Sequence, residues 1–389
     1  MRLNRRQFAG SLALGALSAA APAPFTSTAN AAAFKPAGRV DRKDRKEWAR
    51  GHFRGFENIL MPSFVPGSGQ LDEAGIRLDV RQSIDHGFFS SMCALETLSA
   101  EESRAMVAIA LDEAKGRIGI GSSAGAHPAT NPAKMAVTMQ TLTELDRLGS
   151  GHFLLNLADA DSEKEMIRIG SQFSESTDMG IVLWWANHHR YDRFSTNGIP
   201  YRAFDELAKL PNVVAMKFGS TDPAQIFDMF ERYDDRLLIG NLWFNAMPLA
   251  VKFYGQQWSG ATTIEMMQSP KKRYCVDWFN FLMAGRYDAA EELYWRRVAP
   301  GFATMMNFMN RKMPRGAHPW DHLKFFQFVT GGNGGTSRLD PGQPDLPPID
   351  LTFMNEVKEN FRKLEIKPTE LGAEAFRLGR VNYPPEKRS

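Results

Sequence analysis

The chain has 389 residues, with 47 Lys and Arg against 44 Asp and Glu, 43% hydrophobic residues and 23% charged ones. That is ordinary globular composition, so a mostly disordered, collagen-like or coiled-coil chain is excluded. Cys93 and Cys275 are the only two cysteines, too few for a disulfide framework or a cysteine-based zinc cluster. No apolar run reaches the roughly 18 residues that a membrane-spanning helix needs, which excludes a multi-pass membrane protein.

The first residues read as an address. Arg5-Arg6 is followed by Gln7-Phe8 and a weakly apolar Ala/Gly/Leu run to Ala21, and the first acid is Asp41. Ala29-Asn30-Ala31 fits a small-residue cleavage site. The pattern predicts a twin-arginine export signal over 1–31, with the export machinery as a partner and the periplasm as the destination. An ordinary secretory signal or an uncleaved anchor is the alternative. Arg2, Arg5 and Arg6 carry the whole positive excess, so the rest of the chain is neutral. A general basic field for nucleic acid or anionic lipid is therefore not expected, nor is stable membrane insertion. Both cysteines sit in apolar or helical runs and are expected as buried free thiols.

After a lead-in over 32–54, short apolar runs alternate with helix-like stretches. Candidate strands are Asn58–Val65, Phe88–Leu95, Arg117–Ser122, His152–Leu157, Gly180–Ala186, Asn212–Phe218, Arg236–Asn241 and Trp258–Ile264. Helical stretches between them include Ser99–Lys115, Lys134–Leu148, Ser162–Ser174, Ala203–Leu210 and Asp222–Tyr233. Ser99-Ala100-Glu101-Glu102 reads as a capping box, and Asp222-Pro223 puts proline at a first helical position. The alternation predicts an α/β fold, a (β/α)8 TIM barrel over 55–268. An open doubly wound sheet would carry a glycine fingerprint after its first strand, and none follows Val65.

From 269 to 368 the pattern is helical only, a C-terminal extension with helices over Pro270–Ala284, Tyr287–Met309, His322–Phe328 and Leu351–Leu364. Gly331–Gly335 lacks the ending of a phosphate loop and is expected to be a flexible or packing turn. Met305, Met306, Met309 and Met313 recur at helical spacing, as in a core or subunit-contact stripe. The tail over 369–389 is expected to be peripheral.

In the sixth candidate strand, Lys217 is the one charge in Val213-Val214-Ala215-Met216-Lys217-Phe218. Burial disfavours the ammonium, and a neutral amine at a barrel's C-terminal end can attack a carbonyl and form a Schiff base. The alternative is a lysine that snorkels to the rim or pairs with a carboxylate.

Leu210-Pro211-Asn212-Val213-Val214-Ala215-Met216-Lys217, Met61-Pro62-Ser63-Phe64 with Gly69-Gln70-Leu71-Asp72, and Thr97-Leu98-Ser99-Ala100-Glu101-Glu102 occur in that family's order and spacing when the chain is set beside the dihydrodipicolinate synthase / N-acetylneuraminate lyase family of Schiff-base aldolases and lyases, which it resembles from about Ile59 to Ile366. The resemblance implies a barrel with a helical extension, Lys217 as the imine-forming residue, no cofactor, a small-molecule carbonyl substrate and a homo-oligomer, dimer or tetramer. The departures are specific. The family's Gly-Thr-Thr-Gly-Glu turn is replaced by Ser90-Ser91-Met92-Cys93-Ala94, which keeps Ser91 as a hydroxyl. No tyrosine follows the fourth strand, where Leu157-Ala158-Asp159-Ala160-Asp161 stands. The Tyr-Asn-x-Pro segment after the fifth strand reads Trp184-Trp185-Ala186-Asn187-His188-His189.

Asp159, Asp161 or His188 is therefore expected as the acid/base, with Ser91, Trp184, Trp185, Phe218, Trp243 and Glu265 near the substrate. For each carboxylate or imidazole the alternative is a helix cap, a loop hydrogen bond or a salt bridge. The expected function is an exported lyase or aldolase-type enzyme acting on a carbonyl or 2-oxo acid compound through Lys217. Two other classes compete: an inactive barrel that binds a small molecule, and a metal-dependent enzyme using Asp159, Asp161, His188 and His189.

Overall fold

Alternating strand and helix patterns close into a barrel here because each strand is apolar enough to be covered on both faces. The computed structural model describes residues 40–123, 132–186, 191–195, 197–260, 264–314, 319–338 and 345–387. The expected signal over 1–31 lies outside the described residues, as do His188 and His189. The strands are β1 (Gly55–Leu60), β2 (Ser90–Cys93), β3 (Gly119–Ser123), β4 (His152–Asn156), β5 (Gly180–Ala186), β6 (Val213–Gly219), β7 (Leu238–Asn241) and β8 (Trp258–Ser259). All pair in parallel, in the order β7-β6-β5-β4-β3-β2-β1-β8.

The helices that cover the sheet are α2 (Glu73–His86), α3 (Ala100–Ala114), α4 (Pro132–Leu148), α5 (Glu163–Ser176), α6 (Tyr201–Leu207), α7 (Pro223–Tyr233) and α8 (Met247–Tyr254), after a short α1 (Arg45–His52). The local signals are realised: Ser99 and Glu102 form the reciprocal capping box of α3, and Asp222 caps α7 with Pro223 in its first turn. The seam between β7 and β8 is bridged by side chains. Gln256 Nε2 and Ser259 Oγ each donate to Asn241 O at 3.0 Å, and Trp258 Nε1 donates to Leu238 O at 3.1 Å. The result is a nearly closed eight-stranded barrel.

The N-terminal end of the barrel is plugged. Phe53, next after α1, packs edge-on against His152 (4.7 Å) and Trp258 (5.3 Å), and Trp48 of α1 lies beside it at 5.8 Å. The extension comprises α9 (Tyr274–Met283), α10 (Tyr287–Leu293), α11 (Ala299–Asn307), α12 (Trp320–Val329), α13 (Leu351–Lys363) and α14 (Ala373–Leu378), with π-helical turns at Tyr294–Val298 and Phe308–Lys312. Met305 and Met313 are buried core, and Met306 and Met309 pack against it.

Two expectations are adjusted and one is narrowed. The first strand starts at Gly55 and ends at Leu60, because Pro62 has no N–H for a ladder and the chain turns away. The glycine segment is a packing turn: Asn333 is buried and its N–H donates to Asp79 Oδ1 at 2.6 Å. The tail is not peripheral, since Phe376 of α14 is 2% exposed against Phe325 and Phe328.

Candidate active site

Side chains alternate along a strand, so register decides which ones enter the barrel. His152 of β4 and Glu57 of β1 meet across the interior, with Nε2 to Oε1 at 2.5 Å and both side chains 4% exposed. Four residues further along β4, Asn156 pairs with Trp184, and Trp184 pairs with Lys217. That row faces the interior as well. A Cβ on Gly121 would lie 2.4 Å from the His152 ring, so only glycine leaves room for it there.

Lys217 is the chemical centre of this interior. Its Nζ lies 4.9 Å from the centroid of the Trp184 ring, within range of a cation–π contact. Burial pulls its pKa down to about 8, while the charges of Glu57 and Glu96 act in the opposite direction. Glu96 reaches the site from the loop after β2. The loop is fixed by Ser123 Oγ, which accepts from the Leu95 N–H at 3.0 Å. An amine in this state is neutral in a useful fraction near neutral pH, and the neutral form is the nucleophile.

Asp159 and Asp161 lie on the loop after β4, at the same end of the barrel, and both are exposed. Arg193 ties this loop down by donating to Ala158 O at 2.5 Å and Ala160 O at 2.7 Å. The Asp161 N–H donates to Glu165 Oε2, and Ser162 caps α5. Neither aspartate is among the charges that shift Lys217. The sequence offers no tyrosine directly after β4, but the fold brings one there from elsewhere. Tyr191, which follows β5, is buried with its phenol against the Leu157 backbone and the charge of Asp159, and burial holds it protonated well above the ordinary range. Its place beside the β4 loop was not legible in the sequence.

The fold is that of dihydrodipicolinate synthase and N-acetylneuraminate lyase. The chain superimposes on dihydrodipicolinate synthase from Aquifex aeolicus with a TM-score of 0.63 at 15% identity, covering 82% of this chain and 100% of that one. It matches N-acetylneuraminate lyase from Fusobacterium nucleatum, in a structure complexed with pyruvate, with a TM-score of 0.62 at 16% identity over 81% of this chain and 98% of that one. The dihydrodipicolinate synthase of Oceanobacillus iheyensis gives 0.59 at 16% identity, covering 82% and 99%. No family model matches the sequence, and no curated protein matches it.

Within this shared fold, the residues expected near the substrate divide by parity. Trp184 faces the interior beside Lys217. Trp185 and Phe218, one position on, face the outer helices. They stack on each other at 4.5 Å, and Trp185 Nε1 donates to Gly198 O. Trp243 packs edge-on against Phe302 of α11, at a groove between α8 and the extension. Ser91 also points outward and donates to Asn58 Oδ1 at 2.6 Å. Glu265 belongs to the same outer cluster: its Oε1 accepts from Asn58 Nδ2 at 2.7 Å and from Gln327 Nε2 at 3.0 Å. Ser91, Trp185, Phe218 and Glu265 therefore lie in the layer between the barrel wall and the helices, away from the interior expected of them. For Ser91, Trp185 and Phe218 the physical reason is the two-residue alternation, which sends every second side chain outward; Glu265 lies beyond β8, in the 3-10 turn Ile264–Met266.

Both cysteines are free and buried, and burial pushes the Cys93 thiol up to about 12, which leaves it an inert thiol. Among the described residues no group of three His, Cys, Asp or Glu side chains is arranged to hold a metal ion.

Proposed function

We propose that this protein is an aldolase- or lyase-type enzyme that forms a Schiff base between Lys217 and a small carbonyl compound. The observation that carries the reading is Lys217 itself, an interior lysine near the C-terminal end of β6, with its pKa drawn down to about 8 and its amine over the Trp184 ring. The neutral amine adds to the carbonyl carbon, the carbonyl oxygen leaves as water, and the resulting iminium accepts the electron pair of a neighbouring bond that breaks or forms. Asp159 of the β4 loop and Tyr191, which packs beside that loop from beyond β5, are the groups this reading assigns to proton transfer. Trp184 favours a substrate with an apolar or planar portion over one that is polar throughout. The twin-arginine pattern places the enzyme in the periplasm in this reading, and a homo-oligomer is its expected state.

Borohydride reduction of the full chain with a panel of 2-oxo acids and aldehydes tests the proposal. A stable mass adduct on the Lys217 peptide, lost in Lys217→Met, is the expected result. No adduct with any member of the panel, while ligand binding persists in Lys217→Met, would instead favour the barrel as a binding protein.

A further inference from the structure

Most large apolar side chains of this protein are buried, and the exceptions gather on one face. Seven are exposed among the described residues, and four of them, Leu249, Phe253, Tyr287 and Trp295, stand on α8 and on the rod that runs from α10 into α11. Leu249, Tyr287 and Trp295 line a groove of about 810 Å³ between these elements. Phe253 lies one helical turn beyond Leu249 on α8. The buried rings of Trp278 and Phe302 form the floor. Trp295 stands edge-on to Tyr294 at 5.1 Å and is 66% exposed. A cluster of exposed rings beside a hollow marks a surface that binds something.

The rod presents a single row to this groove. Tyr287, Glu291, Trp295, Ala299 and Ala303 all line it, in steps of four residues. An unbroken α-helix would turn such a row away by about 40° at each step. The π-helical turn at Tyr294–Val298 takes up an extra residue, with the Ala299 N–H donating to Tyr294 O, and keeps the row on one face. The row has a shape: Trp295 stands out, and the two alanines after it leave a hollow. Its charges are balanced as well. Lys252 of α8 lies over the Tyr287 ring at 4.9 Å, and Glu291 follows one turn after Tyr287 on the facing wall. Both are exposed.

We propose that a second copy of this chain docks in the groove, forming a two-fold dimer. The face carries both halves of such a contact: a knob in Trp295 and a hollow at Ala299 and Ala303, a cation in Lys252 and a carboxylate in Glu291. In a two-fold pair every contact occurs twice, so Lys252 of one protomer faces Glu291 of its partner, and the reverse. Nucleic acid or an anionic membrane calls for uncompensated cations, and here Glu291 offsets the one cation that lines the groove among the described residues. Rings at the centre with charges at the edge suit a protein partner. The inference goes beyond the chemistry of Lys217 and holds whether or not that lysine forms an imine.

Sedimentation velocity of the full chain over a range of concentrations tests this. The native chain is expected to dimerise at micromolar concentration. Trp295→Ser should weaken the dimer about a hundredfold, as removal of a central ring does. Lys252→Glu and Glu291→Lys each set like charges opposite one another twice, and each should weaken self-association about tenfold or more. Mixed in equal amounts, these two single variants supply two attractive pairs and should associate as tightly as the native chain. Mixing changes nothing within either chain, so the recovery reads a contact between chains. All three positions are exposed. If Trp295→Ser nonetheless fails to fold, the mixture decides alone. A native chain that stays monomeric at micromolar concentration overturns the proposal and gives the groove to a different partner. A dimer that Trp295→Ser leaves intact, or a mixture that associates no better than either variant alone, overturns it as well.

Discussion

Two lysines, Lys217 and Lys324, are buried, and their surroundings differ in kind. Lys217 lies inside the barrel, 6% exposed; Lys324 lies in α12, outside the barrel wall, and is 0% exposed. Burial lowers the pKa of both. Lys324 spends its protons on oxygen, donating to Ser63 Oγ at 2.6 Å and Pro62 O at 3.1 Å, and Asp79, Asp321 and Asp72 add their charges. It is a fixed cation that pins the turn after β1 to the extension. Lys217 has a ring face and the fields of Glu57 and Glu96. Desolvation is common to the two. What separates a structural lysine from a candidate nucleophile is place: one amine lies among interior side chains near the C-terminal strand ends, the other at the joint between the barrel wall and the extension.

The sharpest way to break this contrast is to remove each amine in turn. Lys217→Met should abolish carbonyl adduct formation outright. It should leave thermal stability unchanged or raised by about 1 kcal/mol, because an apolar side chain replaces a buried charge. Lys324→Met should do the reverse. It leaves Asp79 buried without its main cation, and should cost about 3 kcal/mol or more in urea unfolding while adduct formation persists in the folded fraction. If both variants lost the same stability and the same chemistry, the two lysines would not be distinct in role.

How much of this was legible depends on what kind of signal each residue carries. Lys217 was visible because a lone charge in an apolar strand is a one-dimensional signal. Glu57 carries the same signal in Phe56-Glu57-Asn58-Ile59. It escaped because the first strand was expected to begin at Asn58, three residues after its observed start at Gly55, so Glu57 fell just ahead of it. The alternation of strands and helices gave the barrel, and even short strands such as β7 stood out. Parity did not. Trp184 and Trp185 are equivalent as letters, and only the register with Lys217 shows which one enters the barrel. Ser91 and Glu265 failed for the same reason: an outward position on one strand and a loop residue look, in sequence, like mouth residues. Tyr191 was hidden because its partner loop lies one β/α unit away.

The outer cluster offers a test by pH. Burial raises the pKa of Glu265 to about 7 in the folded chain, above the 4.5 of an ordinary glutamate. A raised carboxyl contributes fully below about 4.5, where it is protonated in both states. That contribution is lost as pH rises through about 7, because the folded state must then bury the charge. The span corresponds to about 3 kcal/mol. Glu265→Gln keeps an acceptor for Asn58 and Gln327 and removes the titration. Its unfolding midpoint in urea should match the native one near pH 5 and exceed it near pH 8. An equal pH slope in the two proteins would mean that Glu265 is solvated and not part of a sealed outer cluster.

The smallest expected effect is the most selective. Ser91 donates one hydrogen bond to Asn58, whose amide in turn reaches Ser83 and Glu265. Ser91→Ala leaves the Asn58 carbonyl without that donor and should cost about 1 kcal/mol. Because Ser91 faces away from the interior, borohydride-trapped adduct formation on Lys217 should stay as in the native chain. A substrate-cradling hydroxyl would behave differently, with binding of the carbonyl compound weakened and stability hardly touched. Ser91→Ala thus asks, in one variant, whether the two sides of the barrel wall are energetically separate. Loss of stability without loss of chemistry means that they are, and the opposite pattern returns Ser91 to the substrate.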